Sequence, residues 1–391
     1  MADGPTAPRL GVIELSTHEN FLADFCRIAA DRFRLTVFTT EDIHRRISDD
    51  LASDTKISEW IIQESDEGRW SFLDRVEFAT RHLDALWAFP FYGNVIDFAR
   101  YARFEPDCPF VLSLYDTNGW IGRSLTPTPK VYNYIKYPLK RWILRRVDAI
   151  AVEYEPIELY LESALNGIPV ETFSPVQYDP MTQESPDETE RLVCTIPGMI
   201  DTSRRNYSVV RDAIGQLSQP QKATLEVVLL GRPIGPDGEA VVSAIGDLQT
   251  EGLSLRTFEG WIETAAFKRE LVRSDILLSP LKRTRQVDGF TEQYGRTKGS
   301  GVLGDGIRYA TPLVLPDWYQ VPDQLRSATR KYASGGELAE VLAALTESDD
   351  ALQTLRSGAG DAAQYYTKRQ QADRLEQILT HARSSMDRNG R

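Results

Sequence analysis

The sequence predicts an α/β protein built from two Rossmann-like domains, each a doubly wound parallel sheet, facing each other across a cleft. Three observations carry this expectation. Short apolar runs of strand length alternate with helical patterns through most of the chain. That series is broken once, by a polar, acidic and proline-containing stretch, and then begins again. The 391 residues suit two large domains better than one.

In the first half, LGVIEL (Leu10 to Leu15) is a compact apolar run followed by the polar loop STHEN and the helical pattern FLADFCRIAADRF. RLTVFTT (Arg34 to Thr40) is the second strand, and a long charged stretch follows it. Then come DALWAF (Asp84 to Phe89), the helix-like VIDFARYARF, FVLSLY (Phe110 to Tyr115) and, after a basic segment, DAIAVE (Asp148 to Glu153). Near-continuous apolar strands of this kind belong to parallel sheets covered on both faces. Residues 1–178 are the expected first domain and 179–190 a linker. The second domain, 191–360, repeats the alternation through LVCTIPG, YSVVRDAIGQL, LEVVLLG, AVVSAIGDLQT, LSLRTFEG, TAAFKRELVRS, DILLSP, a Gly-rich turn and PLVLP. The tail, 361–391, has helical periodicity and no strand to pair with. Ligands of open α/β sheets bind beyond the carboxyl ends of the strands, so the cleft between the domains is where a site is expected.

Forty-five basic residues stand against 57 acidic ones, a net charge of −12, and Arg outnumbers Lys by 35 to 10. Such a surface lacks the basic footprint of a nucleic-acid binder. Cys26, Cys108 and Cys194 are too few and too scattered for a disulfide framework or a zinc site. No apolar run approaches the ~18 residues of a membrane span, and MADGPTAPRL has no signal-peptide core, so a cytoplasmic location is expected.

The most informative segment is EQYGRTKGSGVLGDGIRYATPLVLP, Glu292 to Pro316. Gly295, Gly299, Gly301, Gly304 and Gly306 fall within twelve residues, next to Lys298 and Ser300 and just before a helical pattern. Glycines let backbone amides approach an anion, and a helix N-terminus offers free N–H groups with a favourable dipole. Lys298 adds a point charge, and the carboxylate of Asp305 suits the two hydroxyls of a ribose. Diphosphate plus ribose is a nucleotide. The spacing fits neither a Walker A loop nor a dinucleotide fingerprint, and the plainer reading is a surface turn. Arg204 and Arg205 follow the strand CTIPG across the cleft, where cations oppose the charge that develops on a departing diphosphate. No Asp-x-Asp pair follows an apolar strand, so no metal site and metal-independent chemistry are expected.

The chain from DAIAVEYEPIELYLESALNGIPVETFSP through IPGMIDTSRRNY, VVLLG, FEGWI, RSDILLSP and IRYATPLVLP resembles, landmark by landmark, the retaining nucleotide-sugar glycosyltransferases of the GT-B fold, a family-4-like group. The resemblance covers most of residues 148–320 and the N-terminal third only loosely. It implies a donor site in the second domain, an acceptor site in the first, and a C-terminal helix that returns to the first domain. It also places Trp261 and the backbone from Phe258 to Gly260 at the nucleotide base, although an aromatic there equally suits the core. Family members carry two glutamates separated by seven residues in the glycine-rich segment; here Thr297 and Asp305 occupy those positions.

Two loops of the first domain are candidates for the acceptor side: His18, Glu19 and Asn20 after the first strand, and Tyr115, Asp116 and Asn118 after FVLSLY. With the first and fourth strands adjacent at the switch point, Asp116 would orient His18 as a general base. Inverting GT-B enzymes resemble this arrangement, and the C-terminal landmarks resemble retaining ones, so both stereochemical outcomes stay open. The alternative for His18 is a loop histidine that bonds backbone at a helix start. Between Thr117 and Val147 no acid occurs, while Arg123, Lys130, Lys136, Lys140, Arg141, Arg145 and Arg146 alternate with Trp120, Tyr132, Tyr134, Tyr137 and Trp142. Residues 123–146 therefore suit an anionic membrane surface at the cytoplasmic face, or else a solvated basic helix face. The expected activity is metal-independent sugar transfer from a nucleotide-diphosphate sugar to a hydroxyl acceptor, lipid-linked or in glycan assembly. Lys298, His18 and Asp116 would be catalytic, and Gly299, Ser300 and Gly301 would meet the phosphates, with no resident cofactor. Rival readings are a non-catalytic sugar- or nucleotide-binding subunit and a nucleotide-sugar epimerase.

Overall fold

Apolar strand runs dominate both halves of the chain, and each half closes them into one all-parallel sheet. The computed structural model describes residues 7–126, 131–165, 167–180 and 191–388. In the first sheet, β1 (Arg9–Glu14), β2 (Arg34–Thr40), β3 (Glu59–Gln63), β4 (Ala85–Ala88), β5 (Phe110–Ser113), β6 (Ala149–Val152) and β7 (Val170–Thr172) lie in the order β3-β2-β1-β4-β5-β6-β7. The central strands β4, β5 and β6 are buried along their whole length, as helices on both faces require. The helix Glu19–Ala29 turns Leu22, Phe25, Cys26, Ile28 and Ala29 into one of those interfaces.

The strand order corrects one expectation. FVLSLY is β5, and β1 pairs with β2 and β4, not with β5. The cause is the hydrogen-bonded position of DALWAF, whose β4 core stands between the two strands, so the loops carrying His18 and Asp116 are one strand further apart than predicted. The charged stretch after β2 also holds β3, an edge strand of sequence EWIIQ that pairs on one side only.

The second sheet runs β10-β9-β8-β11-β14-β15, with β8 (Leu192–Pro197), β9 (Leu225–Leu230), β10 (Ser254–Arg256), β11 (Ile276–Leu278), β14 (Leu313–Pro316) and β15 (Thr329–Tyr332) all parallel. Between β11 and β14 the chain leaves the sheet as an antiparallel hairpin, β12 (Thr284–Val287) and β13 (Phe290–Gln293). Its turn is Asp288-Gly289, with φ of 47° and 82°, the left-handed pair that a two-residue hairpin turn favours. The hairpin lies on the first domain: Thr126 N–H donates to Gly289 O at 3.0 Å and Thr291 N–H to Ser124 O at 2.8 Å.

The basic segment serves this contact. In the helix Val131–Leu144, Lys136 and Lys140 are buried and reach Asp288 at 3.4 and 3.6 Å, whereas Tyr134, Ile135, Arg141 and Trp142, and Arg145 just after the helix, face solvent. Lys130 lies outside the described residues, as do residues 181–190 of the expected linker. The helix Lys368–Arg388 packs Ala372, Leu375, Ile378 and Ala382 into a core shared with Leu22, Phe25, Ala149 and Ala151 of the first domain. Among the described residues no helix is long and apolar enough to cross a membrane.

Candidate active site between the two domains

The loop after β13 meets the loop after β5, and the two segments pair across the cleft. Thr117 donates through both N–H (3.1 Å) and Oγ1 (2.9 Å) to Thr297 O. One residue on each side, Asp116 and Lys298 form a bridge pair, and Lys298 Nζ lies 2.5 Å from Asp116 Oδ1, both side chains being about 15% exposed. Lys298 thus reaches across to the first domain, where its partner is a carboxylate. Thr297 turns the other way, its hydroxyl 2.6 Å from Glu292 Oε2. Glu292 is fully buried and accepts from the amides of Asn118 (3.3 Å) and Gly119 (3.2 Å); burial pushes its carboxyl up to about 7 against these bonds.

Gly299 follows Lys298 and is required by the neighbour it touches. A Cβ there would come within 2.1 Å of Oε2 of Glu153, which stands at the carboxyl end of β6. Glu153 is buried at the centre of the cleft. Loss of water drives its carboxyl up to about 7; Lys298 and His18 oppose that shift and Asp116 adds to it. Ser300 is extended and opens the helix Gly301–Arg308, but its hydroxyl does not cap the helix. The exposed Gly301 therefore begins a helix whose positive end faces the cleft. Asp305, one turn on, stands in the field of Arg308 and Arg205, and burial raises its carboxyl to about 6. Arg308 reaches over to pair with Asp24 of the first domain.

His18 is held by Glu14, not by Asp116. Glu14 ends β1 fully buried, takes Ser16 N–H at 2.5 Å, and lies 3.2 Å from His18 Nδ1. The loop between them folds back on the strand end, and Tyr92, from the loop after β4, fills the space toward Asp116. The Tyr92 ring lies 5.5 Å from His18, and its hydroxyl donates to Asp116 Oδ2 at 3.5 Å. Tyr115 packs its ring edge-on against His18 at 4.9 Å and is itself buried. His18 precedes the helix Glu19–Ala29 without capping it, so the backbone-bonding alternative does not hold either. A histidine whose Nδ1 faces a buried carboxylate leaves Nε2 for proton transfer.

Other expected site residues have different duties. Arg205 folds over Gly198 (φ 91°) and donates to Pro197 O at 2.6 Å and Met199 O at 2.7 Å, so its guanidinium braces the end of β8 rather than waiting for a phosphate. Arg204 is the half-exposed member of the pair, and its Nε has no partner among the described residues. Trp261 is 84% exposed on the loop after β10 and belongs to no core. Asn118 donates to Thr291 O of the hairpin at 2.7 Å and accepts from Tyr160 of the helix Glu155–Glu162 at 2.5 Å, which commits both ends of its amide. Glu19 leans on Arg46 at 3.0 Å, away from the cleft, and Asn20 is exposed. Glu14, Tyr92, Glu153 and Glu292 were not foreseen. Glu14 and Glu153 share a readable signal, an acid directly after the apolar stretches GVI in LGVIEL and AIAV in DAIAVE.

No protein-family model matches the chain, and no curated protein matches it in sequence. Solved structures do. Anabaena HepE in complex with UDP and glucose is 11% identical with a TM-score of 0.64, over 95% of this chain and 99% of that one. An α,α-trehalose-phosphate synthase (UDP-forming) from Burkholderia xenovorans, in complex with glucose-6-phosphate, is 11% identical with a TM-score of 0.52, over 95% and 100%. A Listeria monocytogenes protein described as a UDP-N-acetylglucosamine 2-epimerase is 12% identical with a TM-score of 0.53, over 96% of each chain. At these identities the likeness shows the fold: two Rossmann-like domains in the GT-B arrangement.

Proposed function

We propose that the chain is a glycosyltransferase that moves a sugar from a nucleotide-diphosphate sugar to a hydroxyl acceptor, with a second domain like that of the family-4-like group and without a metal ion. The observation that carries this reading is the loop Lys298–Gly301, which runs into a helix N-terminus inside the cleft and faces His18, Asp116 and Glu153 of the other domain. Lys298, the amides at the start of Gly301–Arg308, and Arg204 would hold the diphosphate, and Asp305 the ribose. As the bond from the sugar's anomeric carbon to the diphosphate oxygen breaks, negative charge grows on that oxygen, and cations fixed in place stabilise it more than the ground state. The acceptor oxygen forms the new bond to the anomeric carbon, and its proton passes to His18, oriented by Glu14. That HepE has been seen with UDP and glucose on the same fold supports this choice. The Listeria neighbour favours a second reading, epimerisation of a nucleotide sugar on the same two domains.

The test is a thermal-shift screen of uridine, guanosine and adenosine diphosphates and their sugars, followed by product analysis with and without hydroxyl acceptors. A ligand at a hundred times its Kd is expected to stabilise the protein by about 2.7 kcal/mol. Transfer unchanged by EDTA supports metal-independent chemistry, and its loss in EDTA contradicts it. Conversion of the sugar without any acceptor favours the epimerase, and no nucleotide binding at all overturns both readings.

We further propose that the exposed face of Tyr134, Ile135, Arg141, Trp142 and Arg145 rests on anionic lipid, which would bring a lipid-linked acceptor to the cleft. Flotation with phosphatidylglycerol vesicles, reversed by high salt, is the expected result. A protein left wholly unbound would remove this part of the proposal.

A further inference from the structure

The carboxyl of Glu153 lies on the loop that the preceding reading gives to the diphosphate. Its Oε2 rests against the Cα of Gly299, between Lys298 and the start of the helix Gly301–Arg308. The charges around it do not neutralise it in full. Lys298 is already paired with Asp116, and His18 with Glu14. The groups around Glu153 come from five other segments: Lys298 from its own loop, His18 after β1 with Glu14 behind it, Tyr92 after β4, Tyr115 and Asp116 after β5, and Tyr319 after β14; Tyr154 adjoins it in sequence. The four tyrosines are held neutral by burial, which leaves one ammonium and one imidazole among three carboxyl groups.

A nucleotide sugar carries two negative charges on its diphosphate. Seated on Gly299, it would bring them against Glu153, beside which the one ammonium, Lys298, is already shared with Asp116. A carboxylate in that position repels the ligand, whereas a carboxylic acid in the same position donates a hydrogen bond to it.

We propose that Glu153 binds the donor as a neutral carboxylic acid: the diphosphate seats with uptake of one proton from solvent onto Glu153, whose O–H then donates to a phosphate oxygen. No other bond forms or breaks. This rests on the donor reading above and adds the protonation state in which the site takes its ligand. Burial pushes the carboxyl up to about 7, so the proton is gained at little cost near neutrality. The sign follows from linkage. A ligand that favours the protonated form binds well below that value, and above it the affinity declines toward tenfold per pH unit.

The experiment is calorimetric titration of UDP-glucose, whose diphosphate does not itself ionise near neutrality, into the full chain at pH 6.5, 7.5 and 8.5 in buffers of different ionisation enthalpy. An uptake of about three-quarters of a proton per ligand is expected at pH 7.5. In Glu153→Gln the amide still donates, so binding should take up no proton at that position and lose the pH slope. UDP-glucose that binds without proton uptake, or a Glu153→Gln protein that keeps the wild-type slope, overturns the inference and leaves the donor reading standing. Absence of binding by UDP-glucose and by every other nucleotide sugar overturns both. Should Glu153→Gln fail to fold, the wild-type infrared difference spectrum at pH 8 decides: a protonated-carboxyl band gained on binding supports the proposal, and its absence refutes it.

Discussion

Lys298→Ala is expected to lower turnover of the nucleotide sugar by about 10²–10³-fold, the range seen when one pre-placed donor to a developing oxyanion is removed, about 2.7–4 kcal/mol. The effect should fall mainly on kcat. In the free protein the ammonium is held by Asp116 at 2.5 Å, so a diphosphate must compete with that carboxylate for it. As the leaving group gains charge the competition shifts toward the ligand, and the lysine contributes most in the transition state. Asp116→Asn gives the opposite perturbation: it releases Lys298 and is expected to tighten donor binding. Because both partners are about 15% exposed, removing the lysine also leaves Asp116 poorly paired, so circular-dichroism melts must accompany the kinetics. A folded Lys298→Ala enzyme with wild-type kcat and KM would show that the lysine is only a clasp between the domains.

Much of the architecture was readable because parallel strands buried on both faces must be apolar along their length. LGVIEL, LEVVLLG and LVCTIPG come near that demand, RLTVFTT meets it at Leu35, Val37 and Phe38, and all became strands of six or seven residues. What escaped reading lies where the demand is weaker. β3 and β7 are edge strands with one hydrogen-bonded neighbour, and EWIIQ mixes its apolar centre with charge. The hairpin strands TRQV and FTEQ are short and largely polar, yet Asp288-Gly289 between them is the dipeptide that a tight turn with two positive φ values requires.

The site divides in the same way. Lys298, Gly299 and the helix start were readable because glycine and lysine at a helix N-terminus carry their own chemistry. Partnerships were not, since they depend on strand order: with β4 between β1 and β5, Tyr92 occupies the gap and His18 turns to Glu14. Arg204 and Arg205 are adjacent in sequence and alike in charge, but the turn at Gly198 gives one of them to backbone carbonyls. Asn118 is polar beside a catalytic candidate, and a hairpin that had not been read consumes it.

Asp288→Ala is expected to destabilise the hairpin and its seat on the first domain by about 2–3 kcal/mol, at or below the ~3–5 kcal/mol of unpairing a fully buried charge because Asp288 keeps 31% of its side-chain exposure. The carboxylate answers two lysines at once, Lys136 at 3.4 Å and Lys140 at 3.6 Å, whose own side chains are 10% and 7% exposed. Burial already lowers the Lys140 ammonium below its ordinary range, against the pull of Asp288. Without the aspartate two ammonium groups would face each other under the hairpin, and relief requires either loss of a proton or departure of the hairpin. The second disturbs more than stability, since Glu292 and the Thr117–Thr297 contact sit at the base of the same hairpin and set where Lys298 and Gly299 meet the first domain. Calorimetric unfolding should show a lower transition, and limited proteolysis should gain a cut near residue 288. Combining Asp288→Ala with Lys136→Met and Lys140→Met removes every charge at the contact while keeping side-chain volume at the lysines, and is expected to recover most of the loss. An Asp288→Ala protein with unchanged melting and protease resistance would mean that backbone pairing alone holds the hairpin, and the lysines would then have to shed their burial cost in some other way.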